Sequence, residues 1–180
     1  MSLRTKPASA TAATLLVTAA LALVGCAGAV PLDPGPDSNS VGCAEISVRL
    51  PSSIIDFDRR TTNAQATAAW GDPASVIYRC CLPEQGPSDL PCFTVDDVDW
   101  LLDESNAPRY VFTTYGRTPV TEVIVDNELI AGPDALRAIS ASVAVIEADA
   151  RCLVATDVFG GGTVSPTAEP TTEPAPVPSP

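Results

Sequence analysis

The chain contains no histidine. That removes the commonest general base and the commonest metal ligand, so a Ser–His–Asp triad and a histidine-based zinc site are excluded. Basic charge is scarce. Ten Lys and Arg residues stand against 22 Asp and Glu, for a net charge of −12. This is the wrong sign for nucleic acid or for electrostatic attachment to anionic lipid, and the acid excess reads first as a solvated surface. No Cys-x₂-Cys pair is present, which argues against a four-cysteine zinc cluster. The acidic run Asp96-Asp97-Val98-Asp99 lacks the glycine and distal glutamate of an EF-hand loop and reads as a solvated turn. No motif for a catalytic centre, a metal or a cofactor stands out, so none of these is expected.

The most informative stretch lies near the start. Arg4 and Lys6 precede an apolar run from Leu15 to Val24, which ends in Leu23-Val24-Gly25-Cys26. The run is too short for a comfortable membrane span, and its small-residue end suits a processed export signal. A cysteine directly after that end is the pattern of a bacterial lipobox. On this reading residues 1–25 are a signal peptide and Cys26 becomes the lipid-bearing first residue. Each buried CH₂ contributes ~0.8 kcal/mol, so two or three acyl chains would hold the protein on the membrane durably. The alternative, an uncleaved anchor with Cys26 as an ordinary thiol, would still display the rest of the chain outside. Cleavage would remove two of the basic residues and none of the acidic ones, making the mature charge more negative still.

Residues 26–42 then read as the lipidated cysteine and a Pro-, Gly-, Asp- and Ser-rich tether, with a reach of about 50 Å if fully extended. A folded domain follows over 43–158, and 159–180 form a Pro/Thr-rich tail that cannot bury a core. Within the domain, Cys43, Ile46 and Leu50 share a helical face, with Ser40 in the N-cap region and Pro51 as terminator. Short strands are expected at Ser53–Phe57 and Cys92–Val95, with Trp100–Leu102 continuing the latter. Ala64–Ala69 reads as a loop or helical turn. Ser75–Leu82 alternates as a strand, and Arg109–Tyr115 and Pro119–Val125 are the clearest strands, joined by a turn at Gly116-Arg117-Thr118. One side of that hairpin is polar, and it is the expected partner surface. Leu136, Ile139, Val143 and Ile146 form the stripe of an amphipathic helix over Pro133–Ile146. The expected fold is a small, disulfide-stabilised α+β domain: an antiparallel sheet of about four strands with helices from both ends of the domain on one face.

Five cysteines follow Cys26: Cys43, Cys80, Cys81, Cys92 and Cys152. Outside the cytoplasm they read as disulfides, and an odd number leaves one thiol. Cys80 and Cys81 are neighbours in a strand, so they should point to opposite faces and not share a partner. A Cys80–Cys92 bridge would close the hairpin, and Cys43–Cys152 would tie the domain's ends.

From Cys43 to about Val125 the chain resembles an actinobacterial family, DUF3515, to which no activity is assigned. The matching residues are Leu50-Pro51, Arg59-Arg60, Ala69-Trp70-Gly71-Asp72-Pro73, Tyr78-Arg79-Cys80, Phe112 to Pro119, and Thr121-Glu122-Val123. The resemblance implies an exported or lipidated protein of this size. The family pattern has Gly where Cys81 stands, which marks Cys81 as the free thiol, a dimerising residue, or the partner in an alternative Cys81–Cys92 bridge.

Three functions are open at this stage. The first is a non-catalytic, lipid-anchored module on the extracytoplasmic face of the membrane, binding an envelope protein or cell-wall component. Trp70 would then cap a core. The second is a carboxylate enzyme or ligand binder. It would use Asp72, Asp97, Asp99 or Glu122 with an Arg-lined pocket formed by Arg59, Arg60, Arg79 and Arg117, and Trp70 as a platform. The third is a redox or assembly role for Cys81, aided by Arg79 nearby.

Overall fold

The computed structural model describes residues 28–153, apart from Gln85 and Pro87. The leader, Cys26 and the tail lie outside the described residues. Ten elements follow one another: α1 Val41–Ser47, β1 Ser53–Ile54, β2 Phe57–Arg60, β3 Thr67–Trp70, β4 Val76–Leu82, β5 Cys92–Val95, β6 Val98–Asp103, β7 Arg109–Thr114, β8 Val120–Asp126 and α2 Gly132–Val143. The strands form one sheet in the order β1-β2-β3-β4-β8-β7-β6-β5. Every neighbouring pair of named strands is antiparallel.

The sheet therefore has eight strands rather than about four. The additional strands are short, and β3 is buried at every position, so Thr67-Ala68-Ala69-Trp70 shows no alternation to betray it. Where one face is open the period-two pattern holds. In β4, Val76, Tyr78 and Cys80 are buried while Ile77 and Arg79 are half-exposed. In β8, Val123 and Val125 point inward between half-exposed Glu122, Ile124 and Asp126. The outer side of the β7–β8 hairpin is mixed rather than wholly polar. Ile77, Ile124 and Val111 form one cross-strand row, and Arg79, Glu122 and Thr113 form the next.

Both helices contribute to a single core with Tyr78, Trp100, Phe112, Val123 and Val125. The α2 stripe buries Leu136, Ile139 and Val143, each such side chain contributing about 1.5–3 kcal/mol. Helix α1 starts at Ser40, whose hydroxyl accepts from the Cys43 amide at 3.2 Å. The helices meet where Ser142 Oγ donates to the Arg49 carbonyl at 2.8 Å.

Two turns explain residues conspicuous in the sequence. Asp96 and Asp97 both have positive φ, 46° and 63°, and make the tight connection between β5 and β6. Asp99 is not a spare acid: it accepts from Thr94 Oγ1 and, at 2.7 Å, from the Cys152 amide. At Gly116, φ is +64° and a Cβ would lie 2.0 Å from the Ala150 carbonyl oxygen, so both conformation and space require glycine.

The stretch read as an unpacked tether is in part docked. Val30 bridges Thr62, and Leu32 N donates to Asn63 Oδ1 at 2.7 Å. A Cβ on Gly35 would lie 2.2 Å from the Cys80 carbonyl oxygen, so the chain there lies directly on the end of β4. Pro- and Gly-rich composition predicts the lack of helix or strand but not this close backbone contact. The extended reach expected of residues 26–42 therefore does not apply to the docked part.

Candidate functional site

Among the described residues a cleft of about 640 Å³ forms where that docked segment and the start of α1 cover the end of β4 and the turn before β8. Pro36, Asp37 and Ser40 contribute from the segment, Cys81 and Glu84 from β4 and its continuation, and Thr118 and Pro119 from the turn. Its charged lining residues are both acidic, Asp37 and Glu84. Glu84 Oε1 accepts from Thr118 Oγ1 at 3.0 Å.

Behind the cleft three sulfurs converge. The Sγ atoms of Cys43, Cys80 and Cys81 lie within 4.8 Å of one another. Cys43 is placed to bridge either neighbour, with Cα separations of 5.7 Å to Cys80 and 6.4 Å to Cys81. The expected divergence of Cys80 and Cys81 fails for a specific reason. The β4–β8 register shifts between Cys80 and Leu82, and Cys81 takes a positive φ of 66°. This bulge inserts one residue and re-aims the Cys81 side chain. A left-handed conformation costs a non-glycine residue ~1–2 kcal/mol, so Cys81 holds this backbone at a cost.

The pairing is also corrected. Cys92 bridges Cys152, and Cys43 lies with Cys80 and Cys81, so neither Cys80–Cys92 nor Cys43–Cys152 forms. Cys92 and Cys80 lie on strands separated in the sheet by β8, β7 and β6, too far apart to bridge. A sulfur makes only one disulfide, so one of Cys80 and Cys81 remains a thiol. Cys81 is recessed, 3% exposed on the wall of the cleft, away from the open surface that a disulfide-linked dimer would use. Sulfur in a disulfide is no thiolate ligand, so the cluster with its bridge formed lacks the donors of a soft-metal site.

The arginines do not share a pocket. Arg60 Nη1 pairs with Asp72 Oδ1 at 2.6 Å at the β2–β3 edge, where the Asp72 side chain is 78% exposed. Arg59 lies there too, 6.0 Å from the centre of the Trp70 ring. Trp70 itself is fully buried, and its Nε1 donates to the Pro51 carbonyl at 3.1 Å, so it is a core residue. Arg79 pairs with Glu122 in mid-sheet. Arg117 is buried and donates to the carbonyls of Ile146 and, at 2.8 Å, Asp97. Of the carboxylates proposed for acid–base work, Asp72 and Glu122 take different arginines at separate places in the sheet, and Asp99 takes Thr94 and the Cys152 amide.

Tyr78, on β4 in the core, has no hydrogen-bond partner for its hydroxyl among the described residues. Burial pushes its pKa well above the ordinary value, and the nearby Thr121 and Ser47 hydroxyls only partly oppose the shift.

The cleft was not legible in the sequence. Ser40 was recognisable as a helix cap and Cys81 as an unusual residue, but nothing showed that the chain before α1 brings them together. Ser40 Oγ lies 3.0 Å from Cys81 Sγ.

The fold is thus that of a small disulfide-bridged α+β domain with one acidic cleft beside a cysteine cluster. The sequence profile of DUF3515, described as a protein of unknown function, matches residues 8–151, and the chain belongs to this family. The match extends the resemblance through α2 and into the apolar run before Cys26. No curated protein and no solved structure matches the chain. Among the described residues no helix is long and apolar enough to cross a membrane.

Proposed function

We propose that the protein is a lipid-anchored module of the bacterial cell envelope. It is held on the extracytoplasmic face of the membrane through Cys26 and binds an envelope protein or cell-wall component without transforming it. The observation that carries the reading away from a carboxylate enzyme is the local engagement of the charged residues. Arg60 with Asp72, Arg79 with Glu122, and Arg117 with backbone carbonyls each serve the fold. The contact site in this reading is the cleft of Pro36, Ser40, Cys81, Glu84 and Thr118, which is concave and of ligand-binding size. Export and anchoring rest on the leader and the Leu23-Val24-Gly25-Cys26 pattern.

Site-specific photocrosslinking in intact cells tests this. A photoreactive residue at Asn39, which lines the cleft, should give a recurrent adduct that a probe at exposed Leu129 does not give. The adduct should be lost in a Cys26→Ala form. Equal labelling from both positions, or no adduct from Asn39, refutes the cleft as the contact site.

A further inference from the structure

The cluster of Cys43, Cys80 and Cys81 holds one more sulfur than a disulfide uses. We infer that it is a thiol–disulfide exchange site, in which Cys81 captures a neutral or cationic disulfide-bearing molecule entering the cleft. The capture is stoichiometric and shares the cleft with the binding reading without depending on it.

Three observations support the inference. All three sulfurs lie within 4.8 Å of one another, so Cys43 can exchange between its neighbours without an element moving. Of the three residues only Cys81 lines the cleft, whereas Cys43 and Cys80 are fully buried. Ser40 Oγ stands 3.0 Å from Cys81 Sγ, where its hydroxyl can donate to a thiolate. Asp37 and Glu84 on the lining disfavour an anionic ligand, which sets the charge of the molecule captured.

The chemistry balances without an outside oxidant. With the Cys43–Cys80 bond closed, Cys81 carries the thiol. Its thiolate attacks one sulfur of the bound disulfide, a Cys81–sulfur bond forms, the ligand's S–S bond breaks, and the departing thiolate takes the proton Cys81 gave up. Turned inward, the same thiolate attacks Cys43 Sγ. The Cys43–Cys81 bond forms, the Cys43–Cys80 bond breaks, and the electron pair and proton pass to Cys80. In that second isomer the free thiol is on Cys80, which does not line the cleft, and the site is closed.

The test uses the full chain carrying Cys26→Ala, so that Cys26 adds no thiol, purified without reductant. Dithiodipyridine serves as the neutral disulfide probe. Native protein should release a single equivalent of pyridinethione, with the adduct mapped to Cys81 by mass spectrometry. Rapid acid quenching, which freezes exchange, should reveal both Cys43–Cys80 and Cys43–Cys81 bridges before the probe is added. The Cys80→Ser and Cys81→Ser variants should each keep one bridge to Cys43 and release nothing. An adduct on Cys80, no reaction of the folded parent, or a Cys80→Ser protein with two free thiols would overturn the proposal. Partner binding is read by crosslinking in cells, so failure of one reading is distinguishable from failure of the other.

Discussion

Arg79 and Glu122 stand directly opposite one another on β4 and β8, and one guanidinium reaches Glu122 Oε1 twice, through Nη2 at 2.7 Å and Nε at 2.9 Å. Both residues belong to stretches that carry the family resemblance, and the pair staples the two central strands. The side chains are 29% and 14% exposed, so solvent screens the pair only in part. Glu122→Ala should lower stability to denaturant by about 2 kcal/mol, the scale of a charge-assisted hydrogen bond with some screening. A double-mutant cycle with Arg79→Ala should return a coupling near 1 kcal/mol. Additive single mutants would show that the pair does not act as a unit.

Arg117 is a clip rather than a ligand-binding cation. Its two donors hold the chain just after α2, at Ile146, to the β5–β6 turn at Asp97. Arg117→Ala strands two carbonyls and should cost about 2–3 kcal/mol. Arg117→Lys keeps the charge but not the fork and should recover only part of this loss. Full recovery by lysine in equilibrium unfolding would show that charge alone matters.

Tyr78 sets the alkaline limit of the fold. Its pKa is raised above the unfolded value near 10.0 by burial, so the unfolded chain loses this proton first. Below that pH both states keep the proton and stability is unaffected. Above it, ionisation favours the unfolded chain, and stability falls until the folded phenol itself titrates. Tyr78→Phe should flatten this alkaline decline. It should also raise stability at neutral pH by about 1 kcal/mol, because the hydroxyl is buried without a partner. An unchanged alkaline limb would place the sensitivity elsewhere.

The Cys92–Cys152 bridge closes the chain over a separation of 60 residues. Loop-closure entropy for that length is worth about 4 kcal/mol. Replacing both cysteines by serine should lower the denaturation midpoint accordingly while leaving the Cys43 cluster's thiol count unchanged. A change in that count would mean that the two cysteine groups exchange partners.

These assignments show where the sequence was readable. Helix α1 followed from Ser40, Cys43 and Ile46, and α2 from its Leu136-Ile139-Val143 stripe, because a helix with one buried face writes its period into the chain. Strands β4, β7 and β8 alternate for the same reason. β3 was missed because both its faces are covered, and its alanines fit a helix equally well. The disulfide pairing was missed because the period-two rule fails at a bulge, and Cys81 sits in one. The cleft was missed because it depends on Gly35 lying against the Cys80 carbonyl, a contact between backbones that leaves no hydrophobic pattern.

The central claim is the anchor at Cys26, since it decides which partners the domain can meet. Intact mass spectrometry of the protein extracted from membranes tests it most directly. The account predicts a chain that begins at Cys26, lacks residues 1–25, and carries the added mass of acyl chains on that cysteine. A chain that keeps its leader, or one cleaved elsewhere with no lipid on Cys26, would contradict it.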